Sequence, residues 1–211
     1  MSEESPIFEP LLFCFCGPTA SGKSTICRAL LPQVAKLRLS ISTTTRDPRP
    51  NERNEVDYYF VSQEQFHTLI ESQSFLEHAS YNNRYYGTEK KNIDFCIDTK
   101  SDLLLDIEVQ GVSQLKEKFK TNLVTVFVFP RTMTELKKRL ANRATETPEQ
   151  IARRLEIAEK ELDVLMSKGF SDYFILNDDL NRAVLDAEAI IRAERLKLSR
   201  LSSRDKSALR Q

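Results

Sequence analysis

The fold of this chain is decided by one short stretch, Gly17-Pro18-Thr19-Ala20-Ser21-Gly22-Lys23-Ser24-Thr25. It fits the phosphate-binding template G-x-x-x-x-G-K-[ST], in which Gly17 and Gly22 are the fixed glycines. Glycine is needed because backbone N–H groups can converge on phosphate oxygens only where no side chain blocks their approach. The ammonium of Lys23 can then reach the outer phosphates, and the hydroxyl of Ser24 can bind Mg²⁺. The stretch therefore predicts a site for a nucleoside triphosphate.

The flanks of this stretch predict a strand before it and a helix after it. Residues 11–16 form an apolar run of buried-strand type, and residues 24–36 show helical spacing. The positive end of such a helix would point at the phosphates. Farther along, strand-like runs alternate with helical segments, three of which open with capping boxes at Ser62, Thr132 and Thr147. We therefore expect an α/β fold, in which helices cover both faces of a parallel sheet and the site lies at the carboxyl ends of the strands.

The segment over residues 42–100 has a different character. We expect a strand over 37–42 and a loop over 43–54, where hydroxyls, arginines and prolines replace apolar residues. Short strands and one helix follow, so the segment is predicted to be a small insertion. The main sheet resumes at residues 103–108, and a helix is expected over 114–119.

Composition limits the class of protein. The 211 residues suffice for one sizeable α/β domain with subdomains. Lysine and arginine total 31 and aspartate and glutamate also total 31, which argues against a dedicated nucleic-acid binder. No stretch approaches the ~20 apolar residues of a membrane span, and the N-terminal run is too short for a signal peptide. The four cysteines lack the C-x-x-C spacing. We expect a cytoplasmic protein with no nucleic-acid or membrane partner.

Two arginines in the 43–54 loop indicate a second anion beside the triphosphate. Arg46 and Arg49 flank Pro48, and two fixed guanidiniums are suited to bind one phosphate bidentately. The loop at 17–25 alone is compatible with a GTPase, an ATPase or a small-molecule kinase. The second anion site favours a kinase with a phosphorylated acceptor.

Several segments, in this order and spacing, resemble the guanylate kinase family. They are residues 17–25, 42–49 (STTTRDPR), 57–61 (DYYFV), 85–88 (YYGT), 106–111 (DIEVQG) and 177–179 (NDD). The resemblance covers residues 10–195 and implies a P-loop kinase fold. It also implies how the chain is divided: a core over 10–41, 101–135 and 168–195, a mixed α/β GMP-binding subdomain over 42–100, a helical lid over 136–167 and a basic tail over 196–211.

The resemblance implies that the γ-phosphate of ATP is transferred to GMP with Mg²⁺ as cofactor, giving ADP and GDP. The implied ATP-binding residues are 17–25, Arg139 and Asn177. The implied GMP-binding residues are Ser42, Arg46, Arg49, Tyr58, Glu77, Tyr86, Thr88 and Glu108, the last standing where the family usually has aspartate. The implied catalytic residues are Lys23, Arg46, Arg143 and Arg154. Ser24 would bind Mg²⁺ directly, and Asp106 would bind it through water.

Glu77 is the predicted specificity residue. Guanine presents two adjacent donors, N1–H and the 2-amino group, and one carboxylate can accept both. Adenine presents an acceptor at N1, so AMP would leave Glu77 buried and unpaired. A site built on such hydrogen bonds can reject the wrong base by ~10⁴-fold.

Two other functions are compatible with parts of the pattern. A non-catalytic interaction module of the same fold would be expected to lack the phosphate loop or the lid arginines, and Lys23, Ser24, Arg143 and Arg154 are all present. A kinase of ribose bisphosphate would not need Glu77. The sequence leaves both a monomer and a homodimer open, and it favours a solvated helix over an RNA contact for the basic tail.

Overall fold

The computed structural model describes residues 9–81, 83–142, 147–167 and 169–200. In chain order its elements are β1 (Leu12–Cys16), α1 (Lys23–Leu30), β2 (Leu37–Leu39), β3 (Thr43–Thr44), β4 (Tyr59–Phe60), α2 (Gln63–Glu71), β5 (Phe75–Tyr81), β6 (Arg84–Glu89), α3 (Lys91–Thr99), β7 (Asp102–Asp106), α4 (Val109–Lys118), β8 (Leu123–Phe129), α5 (Met133–Ala141), α6 (Pro148–Met166), β9 (Tyr173–Leu176) and α7 (Leu180–Arg195). A 3-10 turn follows at Leu198–Arg200.

The central sheet has five parallel strands in the order β2-β7-β1-β8-β9. Side chains of β1 alternate between its faces, because successive residues of a strand point to opposite sides. Phe13 and Phe15 pack in the core formed with α1 and α7, whereas Leu12, Cys14 and Cys16 pack in the core formed with α4, α5 and α6. Helices thus cover both faces, and the predicted fold class is confirmed.

A second sheet of four strands, in the order β4-β3-β6-β5, follows the first two strands along the chain. It is mixed, since β3 pairs with β4 in parallel and with β6 antiparallel. Its packing is aromatic: the ring of Phe66 on α2 stacks on Phe75 at 4.6 Å and on Tyr85 at 5.4 Å. This sheet positions one wall of the site described below.

Several predicted boundaries were wrong, and β7 spans Asp102–Asp106 where a strand was expected over 103–108. Helix α1 ends at Leu30 and not at residue 36, because Pro32 has no backbone N–H to donate to the carbonyl of Arg28. Strand β2 ends at Leu39, and Thr43–Thr44, predicted as loop, forms β3. These threonines can be buried because their hydroxyls find partners in the sheet, Thr43 with Glu89 Oε1 at 2.6 Å and Thr44 with Tyr85 O at 2.9 Å.

Two helices differ from the expectation as well. Helix α3 was not predicted, and α4 begins at Val109 and not at residue 114. Gly111 in the first turn of α4 lowers helix propensity, which hides that turn in the sequence.

The capping boxes at Ser62 and Thr147 are confirmed. Thr132 caps α5 alone, because the carboxylate of Glu135 pairs with Arg139 at 3.3 Å.

The described part of the basic C-terminal segment is anchored to the core. Arg195 pairs with Asp102 at 2.8 Å, and buried Glu194 accepts from Lys197 at 2.5 Å and from Arg200 at 2.6 Å. Residues 201–211, most of the predicted tail, lie outside the described residues. Within the described part, no helix is both long and apolar enough to cross a membrane.

The packing of β1 predicts a large stability cost for a core truncation. Phe13→Ala removes a fully buried ring, and we expect the free energy of unfolding to fall by about 3–5 kcal/mol. Phe95→Ala is the matched control, because Phe95 is 52% exposed and contacts Arg38 at the surface. Its cost should be about 1 kcal/mol or less. Urea unfolding measures both, and equal losses would contradict this assignment of the core.

Candidate active site

The loop at 17–25 is closed around its own lysine. The Nζ of Lys23 donates to Gly17 O at 2.5 Å and to Pro18 O at 3.3 Å. Gly17 has φ of 140°, and a Cβ there would lie 2.3 Å from Val128 O, so only glycine fits against β8. Gly22 has φ of 98° and lies at the N-terminus of α1. The loop conformation that the template requires is therefore built by its two fixed glycines.

Asn177 and Arg139 hold this loop from the side of β9. Asn177 follows β9, and its Nδ2 donates to Ser21 O at 2.7 Å. Arg139 of α5 donates from Nη2 to Asn177 O at 2.7 Å. The contact with Gly22 is close, since a Cβ on that residue would lie 2.0 Å from Asn177 Nδ2. Both residues also border a recess of about 340 Å³ on the outer side of the loop.

A cavity of about 360 Å³ lies between the loop, the end of β7 and the second sheet. It brings together most of the predicted site residues, namely Pro18, Thr19, Ala20, Gly22, Lys23, Ser24, Thr25, Ser42, Arg46, Arg49, Tyr58, Glu77, Tyr86, Asp106, Glu108 and Arg154. The predicted residues outside its lining are Gly17, Ser21, Thr88, Arg139 and Asn177. Arg143 lies outside the described residues. The lining residues that sequence reasoning missed are Ala79, Arg84, Gly87 and Ile107.

Arg46 and Arg49 share one carboxylate, that of Glu52. Nη2 of Arg46 donates to both oxygens of Glu52 at 2.9 and 2.8 Å, and Nη1 of Arg49 lies 3.3 Å from Oε1. The guanidinium of Arg46 also lies over the rings of Tyr58 and Phe60, at 5.3 and 5.7 Å from their centroids. Both cations therefore converge on a single anion. Glu52 was missed, although its position in an arginine- and proline-rich loop was a usable signal.

Glu77 is 4% exposed, and its carboxyl group lies at the wall formed by β5 and β6. Burial raises its pKa to about 7, although a hydrogen bond from Thr88 Oγ1 at 2.7 Å and the charge of Lys118 act in the opposite direction. A Cβ at Gly111 would lie 2.3 Å from Glu77 Oε2. Gly111 thus makes room for the carboxyl group, a role that the sequence alone did not reveal.

Acidic side chains surround the lysine of the loop. Ser24 Oγ donates to Asp106 Oδ2, and Glu108 Oε1 lies 4.0 Å from Lys23 Nζ. Burial lowers the pKa of Lys23, but the carboxylates of Glu108 and Asp106 outweigh this effect and the net pKa is raised. Burial raises the pKa of Glu108, whose Oε2 has no partner among the described residues. The site therefore keeps Lys23 protonated.

Helix α6 adds one carboxyl group that was not predicted. Arg154, Ala158, Glu161 and Leu165 recur at spacings of four and three residues, so they share one face of the helix. Arg154 lines the cavity, and Ala158 and Leu165 are buried. Burial, together with the charge of Glu108, raises the pKa of Glu161 to about 7. A single helical face thus presents both an arginine and a carboxyl group to the site.

Oxygen atoms are the candidate metal ligands of the site, but its described carboxylates do not form a metal-binding cluster. Among residues 9–81, 83–142, 147–167 and 169–200, no group of three or more histidine, cysteine, aspartate or glutamate side chains could hold a metal ion. Ser24 and Asp106 both line the cavity and offer a hydroxyl and a carboxylate. This pair matches the manner in which Mg²⁺ binds through one or two carboxylates plus substrate phosphates.

Comparisons with known proteins identify a family that this chain matches over most of its length. A family model described as guanylate kinase matches residues 11–194. The guanylate kinase of Clostridioides difficile strain 630 is 40% identical over 190 residues, which cover 90% of this chain and 91% of that protein. The guanylate kinase of Desulfitobacterium hafniense strain Y51 is 39% identical, with coverage of 90% and 93%. The crystal structure of guanylate kinase from Anaplasma phagocytophilum superposes with a TM-score of 0.76 at 28% identity, covering 94% of this chain and 93% of that one.

The contact between Gly22 and Asn177 predicts coupled mutations. In Gly22→Ala the alanine must adopt the positive φ of this position, which costs about 1–2 kcal/mol. Its Cβ would also clash with the amide of Asn177. Asn177→Ala removes that amide, so the double variant should be more stable than the summed single costs by about 1 kcal/mol or more. Urea unfolding of the four proteins measures this coupling.

Gly169→Ala is the matched control for this cycle. Gly169 has φ of 81° but nothing within 4 Å of its Cβ position, so its cost should add to that of Asn177→Ala. Additive costs in the Gly22 cycle would contradict the proposed contact.

Proposed function

The chain belongs to the guanylate kinase family and is an ATP:GMP phosphotransferase, and we propose that its two nucleotides meet in the cavity of about 360 Å³. One observation carries the proposal: the same cavity is lined by Lys23 and Ser24 of the loop and by Arg46, Arg49 and Glu77 of the opposite wall. A triphosphate on the loop would face a monophosphate on the arginines.

We assign the donor side to the loop and the two residues that hold it. Residues 17–25 would wrap the phosphates of ATP, with the N-terminus of α1 behind them. Arg139 and Asn177 border the outer recess, which we propose for the adenine. Ser24 and Asp106 would hold Mg²⁺, the latter through water. When bound, Mg²⁺ would neutralise charge on the outer phosphates.

We assign the acceptor side to residues of the second sheet and its loops. The phosphate of GMP would be bound by Arg46, Arg49, Tyr58 and Tyr86. It would take the place of the Glu52 carboxylate, which is the anion that the two arginines bind in this structure. Glu77 would accept from N1–H and the 2-amino group of guanine. We also assign Ser42, Thr88 and Glu108 to GMP. The Thr88 hydroxyl donates a hydrogen bond to Glu77, so Thr88 would support guanine binding by orienting that carboxylate.

We propose direct in-line transfer. An anionic oxygen of the GMP phosphate forms a bond to the γ-phosphorus while the bond from that phosphorus to the β,γ-bridging oxygen breaks, which gives ADP and GDP. No general base is needed, because the attacking oxygen already carries the charge. Lys23, Arg46, Arg154 and Arg143 would neutralise charge in the transition state, since phosphoryl transfer depends mainly on positioning and electrostatics. Arg143 is assigned from its sequence position alone.

We propose the following division of the chain. The core spans 10–41, 101–135 and 168–195, the GMP-binding subdomain spans 42–100, and the lid spans 136–167. Closure of the lid would exclude water, which otherwise accepts the γ-phosphate. We further propose a cytoplasmic protein, which is supported by four buried free cysteines of the kind expected in a reducing compartment.

Lys23→Ala tests the donor side. We expect kcat to fall by about 10²–10³-fold, because the ammonium neutralises charge that develops during transfer. Lys137→Ala, at an exposed position of α5, is the matched control and should retain activity. ADP release from ATP·Mg²⁺ with GMP measures both, and thermal unfolding verifies that each variant is folded. Wild-type turnover by folded Lys23→Ala would remove the loop from the mechanism.

Glu77→Gln tests the acceptor side. ADP release is measured with GMP, AMP, CMP, UMP and ribose bisphosphate offered in parallel. The wild type should use GMP, and the variant should lose much of its preference for GMP over AMP, because an amide cannot accept both guanine donors. No release with any acceptor would favour an interaction module, and release with ribose bisphosphate alone would favour a sugar kinase. An unchanged GMP-to-AMP ratio in the variant would exclude Glu77 as the base reader.

A further inference from the structure

One face of α4 is directed at β5. Gly111, Gln114 and Lys118 lie three and four residues apart, and this spacing stacks side chains on a single face of a helix. The site residues predicted from the sequence include none of these three. All three contact the part of β5 that carries Glu77.

The contacts fix the backbone on both sides of Glu77. Gln114 Nε2 donates to His78 O at 2.7 Å, and its Oε1 accepts from His78 N at 3.2 Å. Lys118 Nζ donates to Leu76 O at 2.5 Å. The amide of Gln114 thus pairs with a backbone N–H and C=O at once, as a neighbouring strand would.

This segment of β5 needs such partners for two reasons. It lies at the edge of its sheet, beyond β6, so its outer backbone groups have no neighbouring strand. The register between β5 and β6 also shifts between Phe75 and Glu77, and such a bulge changes the direction of a side chain. Without α4, the outer backbone groups beside Glu77 would therefore lose the partners that Gln114 and Lys118 supply.

The same face of α4 also acts on the Glu77 side chain. Gly111 leaves space for Oε2, since a Cβ there would lie 2.3 Å away, while Thr88 from β6 donates to Oε1. The carboxyl group is thus confined between a hydroxyl donor and a helix backbone. Lys118 is the cation that acts on it, and Glu108 at the N-cap of α4 is the opposing anion.

We propose that Gln114 and Lys118 are positioning residues that orient Glu77 for guanine and place a positive charge beside its strand, a proposal that rests on the role assigned to Glu77 above. Gln114 holds the backbone at His78, and Lys118 supplies a hydrogen bond at Leu76 together with a positive charge. Neither residue lines the cavity in which the phosphates are proposed to meet. Their loss should therefore weaken guanine binding and leave phosphoryl transfer intact.

Gln114→Met tests the hydrogen-bonding part of the proposal. Methionine retains the volume but pairs with neither His78 group, so we expect KM for GMP to rise about tenfold and kcat to change by about threefold or less. Inosine monophosphate lacks the 2-amino group, so its KM should rise less than that of GMP. The preference for GMP over inosine monophosphate should therefore become smaller. Gln110→Met, at an exposed position one turn earlier on α4, is the matched control.

Lys118→Met tests the charge. Glu77 must be ionised to accept both guanine donors, so GMP binding by the wild type should weaken as pH falls through about 7. The groups that act on Glu77 are Thr88 of β6, Lys118 of α4 and Glu108, and the buried Cys14 thiol of β1 is also close enough to interact. Removing the Lys118 cation should move the loss of binding to higher pH. The phosphate of GMP itself titrates near pH 6. The pH profile of Glu77→Gln measures that contribution, which is then subtracted from the profile of the wild type.

Lys116→Met is the matched control, because Lys116 is on the same helix and donates to a backbone carbonyl, that of Gly169, at 2.8 Å. Lys116→Met should leave the pH profile of GMP binding as it is in the wild type. Lys118→Arg retains a cation and should also show the wild-type profile. If a methionine variant fails to fold, Gln114→Asn and Lys118→Gln provide the same comparison with polar side chains.

The outcomes separate this proposal from the function it rests on. Absence of GMP-dependent ADP release from the wild type would remove the proposed function itself. A wild type active on GMP, with variants that lose thermal stability but keep the GMP preference and pH profile, would overturn the proposal alone. In that case α4 would support β5 without influencing the specificity of the site.

Discussion

The buried charge of Lys23 is the constraint on which the rest of the site depends. An ammonium removed from water costs several kcal/mol unless hydrogen bonds and opposite charges replace its hydration. Here the carbonyls of Gly17 and Pro18 and the carboxylate of Glu108 supply that replacement. This requirement accounts for the way the loop curls around its own lysine. A triphosphate would bring its own anionic oxygens to a cation that is already fixed in place.

The opposite wall uses the same principle with the charges exchanged. Arg46 and Arg49 are held by Glu52, so two guanidiniums remain together without a phosphate between them. Two neighbouring guanidiniums repel each other, and a carboxylate that pairs with both offsets this repulsion. Each wall of the cavity therefore contains an internal counter-ion, and each nucleotide is expected to bind to groups whose geometry is set before it arrives.

The sequence predicted the parts of the site that follow fixed chemical templates. The loop at 17–25, the arginines beside Pro48 and the parallel sheet all follow from residue type and spacing. The roles that the sequence did not reveal depend on contacts between distant segments. Gly111 makes room for Glu77, which is 34 positions earlier in the chain, and Glu161 of α6 interacts with Glu108. Strand β3 was missed because buried threonines look like loop residues until their hydroxyl partners are known. The positions of individual site residues relative to bound nucleotides stay predictions.

Helix α4 links the two walls. Its N-cap residue, Glu108, lies 4.0 Å from the loop lysine, and its face at Gln114 and Lys118 holds the strand of Glu77. A helix of ten residues is about 15 Å long, so α4 spans the distance between the two walls. The anion beside the loop lysine and the backbone beside Glu77 are therefore set by the two ends of a single helix. The position of the guanine reader relative to the phosphate loop is thus fixed by α4 before either nucleotide binds.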